Sequence, residues 1–367
     1  MAKARLLAPW VEDERRSAFY HCVSRVAGRE FLFGDEEREQ FTRFMRLYEA
    51  FCGVRVLAHC VMSNHFHILV EIPPNMDESL SDKALVERLE LIYSKDYVAM
   101  VRMQLRELAE SATPKGMAAH AELRAKFINR MWDLGQFMKI LKQRFTRWYN
   151  AKHGRCGTLW EARYKSVLVE DGHAARVMAA YIDLNPVRAG MVRDPKDYRW
   201  CSYAEAVAGG KVGALARRGI ARVLEERDDS AAMKGADSAY DGWDDYPAPE
   251  HYAWRSIAGR YRLILFEDGE EVIKTSGNQA KQGRVTRKGM RREEVEKEQQ
   301  RKGQLSLAEV LRCKTRHFID GGVIGGKSFV KGVVEDLKGN YLHKNRKSNG
   351  KKIRIYKGEL WSMRQLE

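Results

Sequence analysis

The sequence predicts an α+β fold: a ferredoxin-like antiparallel sheet with helices on one face, followed by a mostly helical, basic C-terminal region. Three observations carry this expectation. Between residues 17 and 186, strand-like and helix-like stretches interleave as strand, helix, strand, strand, helix, strand, helix. Two of those strands are separated only by Ser63 and Asn64, a spacing that makes a hairpin. The positive charge, finally, is concentrated at one end. From Lys281 to Glu367 there are 23 Lys and Arg against 10 Asp and Glu, whereas the preceding 280 residues carry 42 against 40.

Each element has its own warrant. SAFYHCVSRV (17–26) is rich in strand formers. GDEEREQFTRFMRLYEAFCG (34–53) places Phe41, Phe44, Met45, Leu47 and Tyr48 at helical spacing, with Asp35 as a cap and Gly53 as a stop. VRVLAHCVM (54–62) and HFHILVEI (65–72) form the hairpin, ended by Pro73 and Pro74. Residues 75–131 are charged and helical in pattern and read as an insertion after that hairpin. LGQFMKILKQRFTRWYNA (134–151) is an amphipathic helix, and ARYKSVLVED (162–171) a fourth strand. GHAARVMAAYIDLNP (172–186) is a short helix expected to end near Asn185, because the residue before a proline avoids the helical region. The chain then divides into 1–205, a connector with helical segments over 206–280, and the basic region 281–367. In that last region Ser306 is expected to cap one short helix, and Lys327 to Leu337 to form another after a glycine turn.

Composition narrows the function classes. The net charge of +15 and its C-terminal concentration point to a polyanion, most simply nucleic acid. No apolar run approaches the roughly 18 to 20 residues of a membrane span. The six cysteines are scattered without a C-x-x-C pair, which suits a reducing, cytoplasmic setting rather than a disulfide framework or a zinc knuckle.

The most informative stretch is VMSNHFHILVEIP (61–73). On a strand, residues i and i+2 share a face, so His65 and His67 project side by side with Leu69 and Glu71 beyond them. Neutral imidazoles so placed suit one divalent cation. Taken alone, the spacing reads more readily as a hydrogen-bonded pair packed under a helix. Glu71 lies roughly 13 Å along the strand from His67 and is a poor further ligand. The other element of interest is AAYIDLNPVRAG (179–190), where Tyr181 and Asn185 share one helical face. If that face packs over the histidine strand, Asn185 supplies an oxygen and Tyr181 a phenol. A phenol, with a pKa of about 10, is a poor nucleophile at neutral pH unless its target is polarised. Taken alone, Tyr181 also reads as a boundary residue and Asn185 as a helix cap.

Four blocks, in this order, resemble the HUH-type single-tyrosine transposases of the insertion-sequence-200-like family, and most of all their REP-associated relatives. They are YHCVSRVAGRE (20–30), HCVMSNHFHILVE (59–71), FTRWYNAKHGRCGTLWEARYKSVLVED (145–171) and AYIDLNPVRAGMV (180–192). The resemblance covers about 17–203. It implies Mg²⁺ or Mn²⁺ at His65 and His67, with Asn185 as a further ligand. It also implies Tyr181 as the nucleophile that cuts and rejoins DNA through a 5′-phosphotyrosine. A single-stranded or hairpin DNA partner follows, and a protein that works as a monomer in the REP-associated branch, or as a homodimer in the mobile one. Asn185, rather than glutamine, one turn after the tyrosine suits the REP-associated branch. The 75–131 block is longer than usual and is expected to affect DNA access or protomer pairing.

Around these residues, GTLWEARYKSV (157–167) interleaves aromatic and cationic side chains, the usual pattern for single strands. Trp160, Arg163, Tyr164 and Lys165, together with Arg25 and Arg29 after the first strand, are therefore candidate DNA contacts. The plainer reading is a solvent-facing strand edge with cationic gatekeepers. Three other functions compete: a replication initiator or relaxase of the same metal chemistry, a domesticated DNA-binding regulator without catalysis, and a metal-dependent hydrolase in which water attacks and Tyr181 is structural.

Overall fold

The structure is a computed structural model that describes residues 8, 16–75, 80–111, 113–225, 251–274, 284–306, 309–310, 313, 324–325, 351–355 and 358–362. Its centre is a four-stranded antiparallel sheet of β1 (Ala18–Arg25), β2 (Arg55–Val61), β3 (His65–Ile72) and β4 (Lys165–Val169), ordered β2-β3-β1-β4. That is the ferredoxin-like order. Each expected strand is present, the fourth trimmed to its alternating middle.

The two crossover helices form where the sequence places them. α1 (Asp35–Cys52) opens with Asp35, Glu36 and Glu37, whose charges favour the positive end of the helix dipole, and stops at Gly53 with φ 66°. Past the insertion, α5 (Leu134–His153) is capped by Asp133, which accepts from the Gln136 N–H, and ends at Gly154 in the left-handed region. Both pack on one face of the sheet. The side chains there are Tyr20 and Cys22 from β1 and Phe66, Ile68 and Val70 from β3, all buried. The insertion folds as α2 (Asp82–Glu90), α3 (Lys95–Glu110) and α4 (Pro114–Ile128), capped by Ser81, Ser94 and Thr113. Its Leu85, Leu89, Val101, Leu105 and Phe127 extend that same core. The insertion thus belongs to the face opposite His67 and does not cover it.

The second face carries the helices that follow the sheet. Asp171 Oδ1 accepts the Gly172 N–H at 2.7 Å, and Gly172, at φ 75°, turns the chain from β4 into α6 (His173–Asp183). α6 ends before Asn185, and Pro186 lies in the first turn of the next helix, α7 (Asn185–Arg188). The expected stop is thus a start: a missing N–H costs nothing in a first turn. Next come α8 (Ser202–Ala208), α9 (Gly210–Leu224) and α10 (His251–Asp268). With α6 they bury Ala179, Ile182, Tyr203, Ile220 and Leu265 against Phe19, Ala58, Cys60 and Leu69 of the sheet. The described helices of the 206–280 stretch thus send side chains into this core. A register shift between Val56 and Ala58 marks a bulge in β2. There α9 approaches so closely that a Cβ at Gly219 would collide with the Leu57 carbonyl.

Past the sheet, from His173 on, the described residues are largely helical, and α11 (Arg292–Gln300) sends Val295 into the second core. Two small strand sets were not foreseen: β5 (Val272–Lys274) with β6 (Arg284–Arg287), and β7 (Ile324–Gly325) with β8 (Lys351–Ile355) and β9 (Gly358–Ser362). Ser306 does act as a cap: it accepts from the Glu309 N–H at 3.3 Å while Glu309 accepts from the Ser306 N–H at 2.8 Å. The helix expected over 327–337 lies outside the described residues. No helix among the described residues is long and apolar enough to cross a membrane.

Candidate functional site

Register fixes which side chains can meet. In an antiparallel pair, opposed residues point to the same side. Arg25 opposes His65, Val23 opposes both His67 and Lys165, and Cys60 opposes His67. Arg25, His65, His67 and Lys165 therefore share the second face. His21, two residues before Val23, shares it too.

His67 is 6% exposed and sits at the centre of this group. Its ring centroid is 5.0 Å from that of His65, 5.2 Å from that of His21 and 5.9 Å from that of Tyr181. The ring of Tyr181 is also 6.1 Å from that of His21. The late helix and the early hairpin thus meet, as the sequence reading requires. Tyr181 is 38% exposed, accessible to a ligand rather than sealed in the core. Two residues on, Asp183 points the other way. It is fully buried and accepts from Tyr261 Oη at 2.8 Å and the Tyr203 N–H at 3.1 Å, which ties α6 to α10 and α8. Burial raises its pKa to about 7.

The imidazoles are held neutral. Burial lowers the pKa of His65 to about 4, with help from the Arg25 charge. Burial lowers that of His67 to about 3, with His65, His21 and Arg25 adding to the effect. Burial alone brings His21 to about 4. Hydrogen bonds fix which nitrogens remain open. Asn64 donates its amide N–H to the Arg29 carbonyl at 2.9 Å, so its amide oxygen faces His65 Nδ1, 2.6 Å away. An amide oxygen only accepts, so His65 carries its proton on Nδ1 and leaves the Nε2 lone pair free. His67 Nδ1 lies 3.0 Å from His21 Nε2, which leaves Nε2 as its open nitrogen too.

Two neutral imidazoles with open Nε2 atoms fit a divalent cation, and partners that fix the ring tautomers are what metal-binding histidines require. Among the described residues, no group of three or more His, Cys, Asp and Glu could hold a metal ion. Glu71, on the same strand face, is taken by Arg222 and Arg55, each at 3.3 Å. Asn185 donates its amide nitrogen to the carbonyls of Tyr181 at 3.0 Å and Ile182 at 3.2 Å, which keeps its amide oxygen for another partner.

The expected DNA contacts divide. Arg25 is half-buried beside His65, and Lys165 is exposed on the same face. Arg29 and Arg163 are exposed as well. Trp160 and Tyr164 are a correction: each is only 7% exposed and belongs to the first core. The Trp160 indole packs edge-on against Phe66 at 5.4 Å and Phe33 at 5.9 Å and donates to Thr146 Oγ1 at 2.9 Å. A ring so enclosed offers no face to a base. The loop before β4 folds inward because Trp160 bridges to Val26 at the end of β1.

Sequence reasoning missed two residues of the site. His21 lies on a strand already identified, but only the β1–β3 register reveals it. Arg188 follows Asn185 by three residues and lies with its guanidinium carbon 4.9 Å from the centroid of the Tyr181 ring.

Residues 15–110 match the family described as "Transposase IS200 like". That span holds His21, His65 and His67 and stops short of Tyr181. No curated protein matches the sequence. A solved structure of a REP-associated tyrosine transposase bound to a REP hairpin is similar over 58% of this chain and 93% of that one, at 14% identity and a TM-score of 0.35. A likeness of that size does not bear on function.

Proposed function

We propose that this chain, whose residues 15–110 match the IS200-like transposase family, is a single-stranded DNA transposase or endonuclease that cuts and rejoins through a 5′-phosphotyrosine. The observation that carries the reading is the position of an accessible phenol, Tyr181, 5.9 Å in ring-centroid distance from the neutral His67. In the proposed step Tyr181 Oη bonds to phosphorus and the P–O3′ bond breaks. The phenolic proton passes to solvent and the departing 3′ oxygen takes one up. The ester energy is retained in the link, so rejoining needs no nucleotide.

IS200-like transposases of the HUH type typically use a divalent metal. Here His65 and His67 would hold Mg²⁺ or Mn²⁺ through Nε2, with Asn185 offering an oxygen and the DNA phosphate completing the set. When bound, the ion supplies Lewis-acid polarisation of the phosphate. Asn64 and His21 orient the two rings. Arg25 and Lys165 track the phosphates that flank the cut, and Arg29 and Arg163 extend that surface. The basic residues beyond 281 would grip a duplex stem.

We read the substrate as a DNA hairpin with a single-stranded extension, and the protein as a monomer of the REP-associated kind, because Asn185 stands one turn after the tyrosine. Residues 1–205 would be the catalytic unit and 281–367 a DNA-binding one. Six free cysteines, five of them buried, suit a cytoplasmic location. The test is incubation with a labelled hairpin oligonucleotide in Mg²⁺ or Mn²⁺. A protein–DNA band that survives denaturation is expected. Cleavage without that band would favour a hydrolase, and binding without cleavage a regulator.

A further inference from the structure

We propose that Arg188 grips the phosphate that Tyr181 attacks, a role that rests on the strand-cleavage reading above. Tyr181, Asn185 and Arg188 form an i, i+4, i+7 stripe across the junction of α6 and α7. The guanidinium carbon of Arg188 lies 4.9 Å from the Tyr181 ring centroid. The side chain is half-buried, and its Nε is buried without a hydrogen-bond partner. No carboxylate lies within ion-pair distance of it among the described residues.

An arginine in that state is held at a cost. Burial keeps its pKa below the ordinary arginine range, and Arg287 adds repulsion, while Tyr181 and Asp268 act the other way. Arg287 cannot relieve it, because it too is a cation with donors only; its Nη2 donates to the carbonyls of Asp268 at 3.2 Å and Glu270 at 2.8 Å. Lys288 adds another cation close by: a Cβ at Gly190 would lie 3.5 Å from its Nζ. The neighbourhood of the phenol is therefore short of negative charge. A phosphodiester supplies that charge, and the planar fork of arginine matches two of its oxygens. The terminal guanidinium nitrogens of Arg188, which no hydrogen bond among the described residues occupies, are the donors a phosphate would meet, since Nε itself is buried. The rival role is purely mechanical: the guanidinium stacks on the ring and keeps it in place.

The two roles separate by salt. With the full-length protein and a fluorescein-labelled hairpin oligonucleotide without metal, the slope of log affinity against log salt counts phosphate contacts, at about 0.7 per contact for a single strand. Arg188→Gln should lower that slope by about 0.7 and cut the rate of covalent adduct formation in Mn²⁺ at saturating DNA by about a hundredfold. Arg188→Lys should restore the slope and part of the rate. Arg188→Met, which keeps the stem on the phenol ring, carries the same expectation as Gln should the glutamine variant melt early. A wild-type slope in the neutral variants, or no DNA binding by the wild type, overturns the proposal. Binding with the lowered slope but no adduct from the wild type would retain Arg188 as a phosphate contact and remove the cleavage reading instead.

Discussion

The two faces of the central sheet are made by the same strands and are built in opposite ways. On β3, Phe66, Ile68 and Val70 enter a core closed by α1 and α5, while His65 and His67 alternate with them onto the face occupied by α6. The first face also absorbs Trp160, Phe41 and Phe145, so its sheet side chains hold packing energy. The second face is covered by helices along β2 and Leu69, yet it leaves Tyr181 exposed beside three neutral imidazoles. From His65 to Ile68, strand alternation thus separates stability from chemistry to within one residue: site side chains and core side chains take turns.

That contrast can be tested from its strongest consequence to its weakest. Tyr181→Phe should remove the covalent adduct on denaturing gels entirely and leave the melting temperature unchanged, because the lost hydroxyl belongs to a partly exposed ring. Trp160→Ala should do the reverse. Loss of a buried indole costs about 3–5 kcal/mol, read from urea unfolding, and activity should survive at temperatures where the variant stays folded. A DNA-binding role for Trp160 would instead appear as weakened binding with normal stability. His21→Gln should lower Mn²⁺ affinity, measured by titration calorimetry, by about 10- to 100-fold, the usual effect of removing a partner that orients a ligand.

The histidines also give the second face a pH signature. In the unfolded chain all three titrate near their ordinary 6.5, whereas the fold keeps His21 and His65 neutral to about 4 and His67 to about 3. Between those limits the unfolded chain binds more protons, so their contribution to stability is complete at neutral pH and is lost as pH falls from about 6.5 towards 4. Asp183, raised to about 7, acts in the opposite sense and is common to every variant. His21→Gln should therefore lose less stability than the wild type between about pH 7 and about pH 5, read as urea midpoints. The smallest effect is at the rim: Lys165→Ala should lower the salt slope of oligonucleotide binding by about 0.7 and change neither stability nor metal affinity.

Much of this was legible in the residues. Spacing of two put His65 and His67 on one face, and spacing of four put Asn185 beside Tyr181. The sheet order followed from the hairpin and its flanking helices. What the sequence hid depends on pairing between distant strands. His21 is one of several strand residues until β1 is set against β3, where Val23 opposes His67 and places His21 diagonally from it. Trp160 misled because an aromatic flanked by cations reads as a stacking platform, whereas the bridge to Val26 turns the ring inward. Arg188 was visible at i+7 from Tyr181, but Pro186 suggested that the helix had ended. The proline instead opens α7 and carries the stripe onward.

The central claim is that Tyr181 is the group that attacks DNA. Its most direct test is mass spectrometry of protease-digested protein after reaction with a hairpin oligonucleotide in Mn²⁺. The expected result is a single modified peptide containing Tyr181, heavier by a 5′-linked phosphonucleotide fragment and absent from Tyr181→Phe. Cleaved DNA with free ends alongside an unmodified Tyr181 peptide, or an adduct on any other residue, would contradict it.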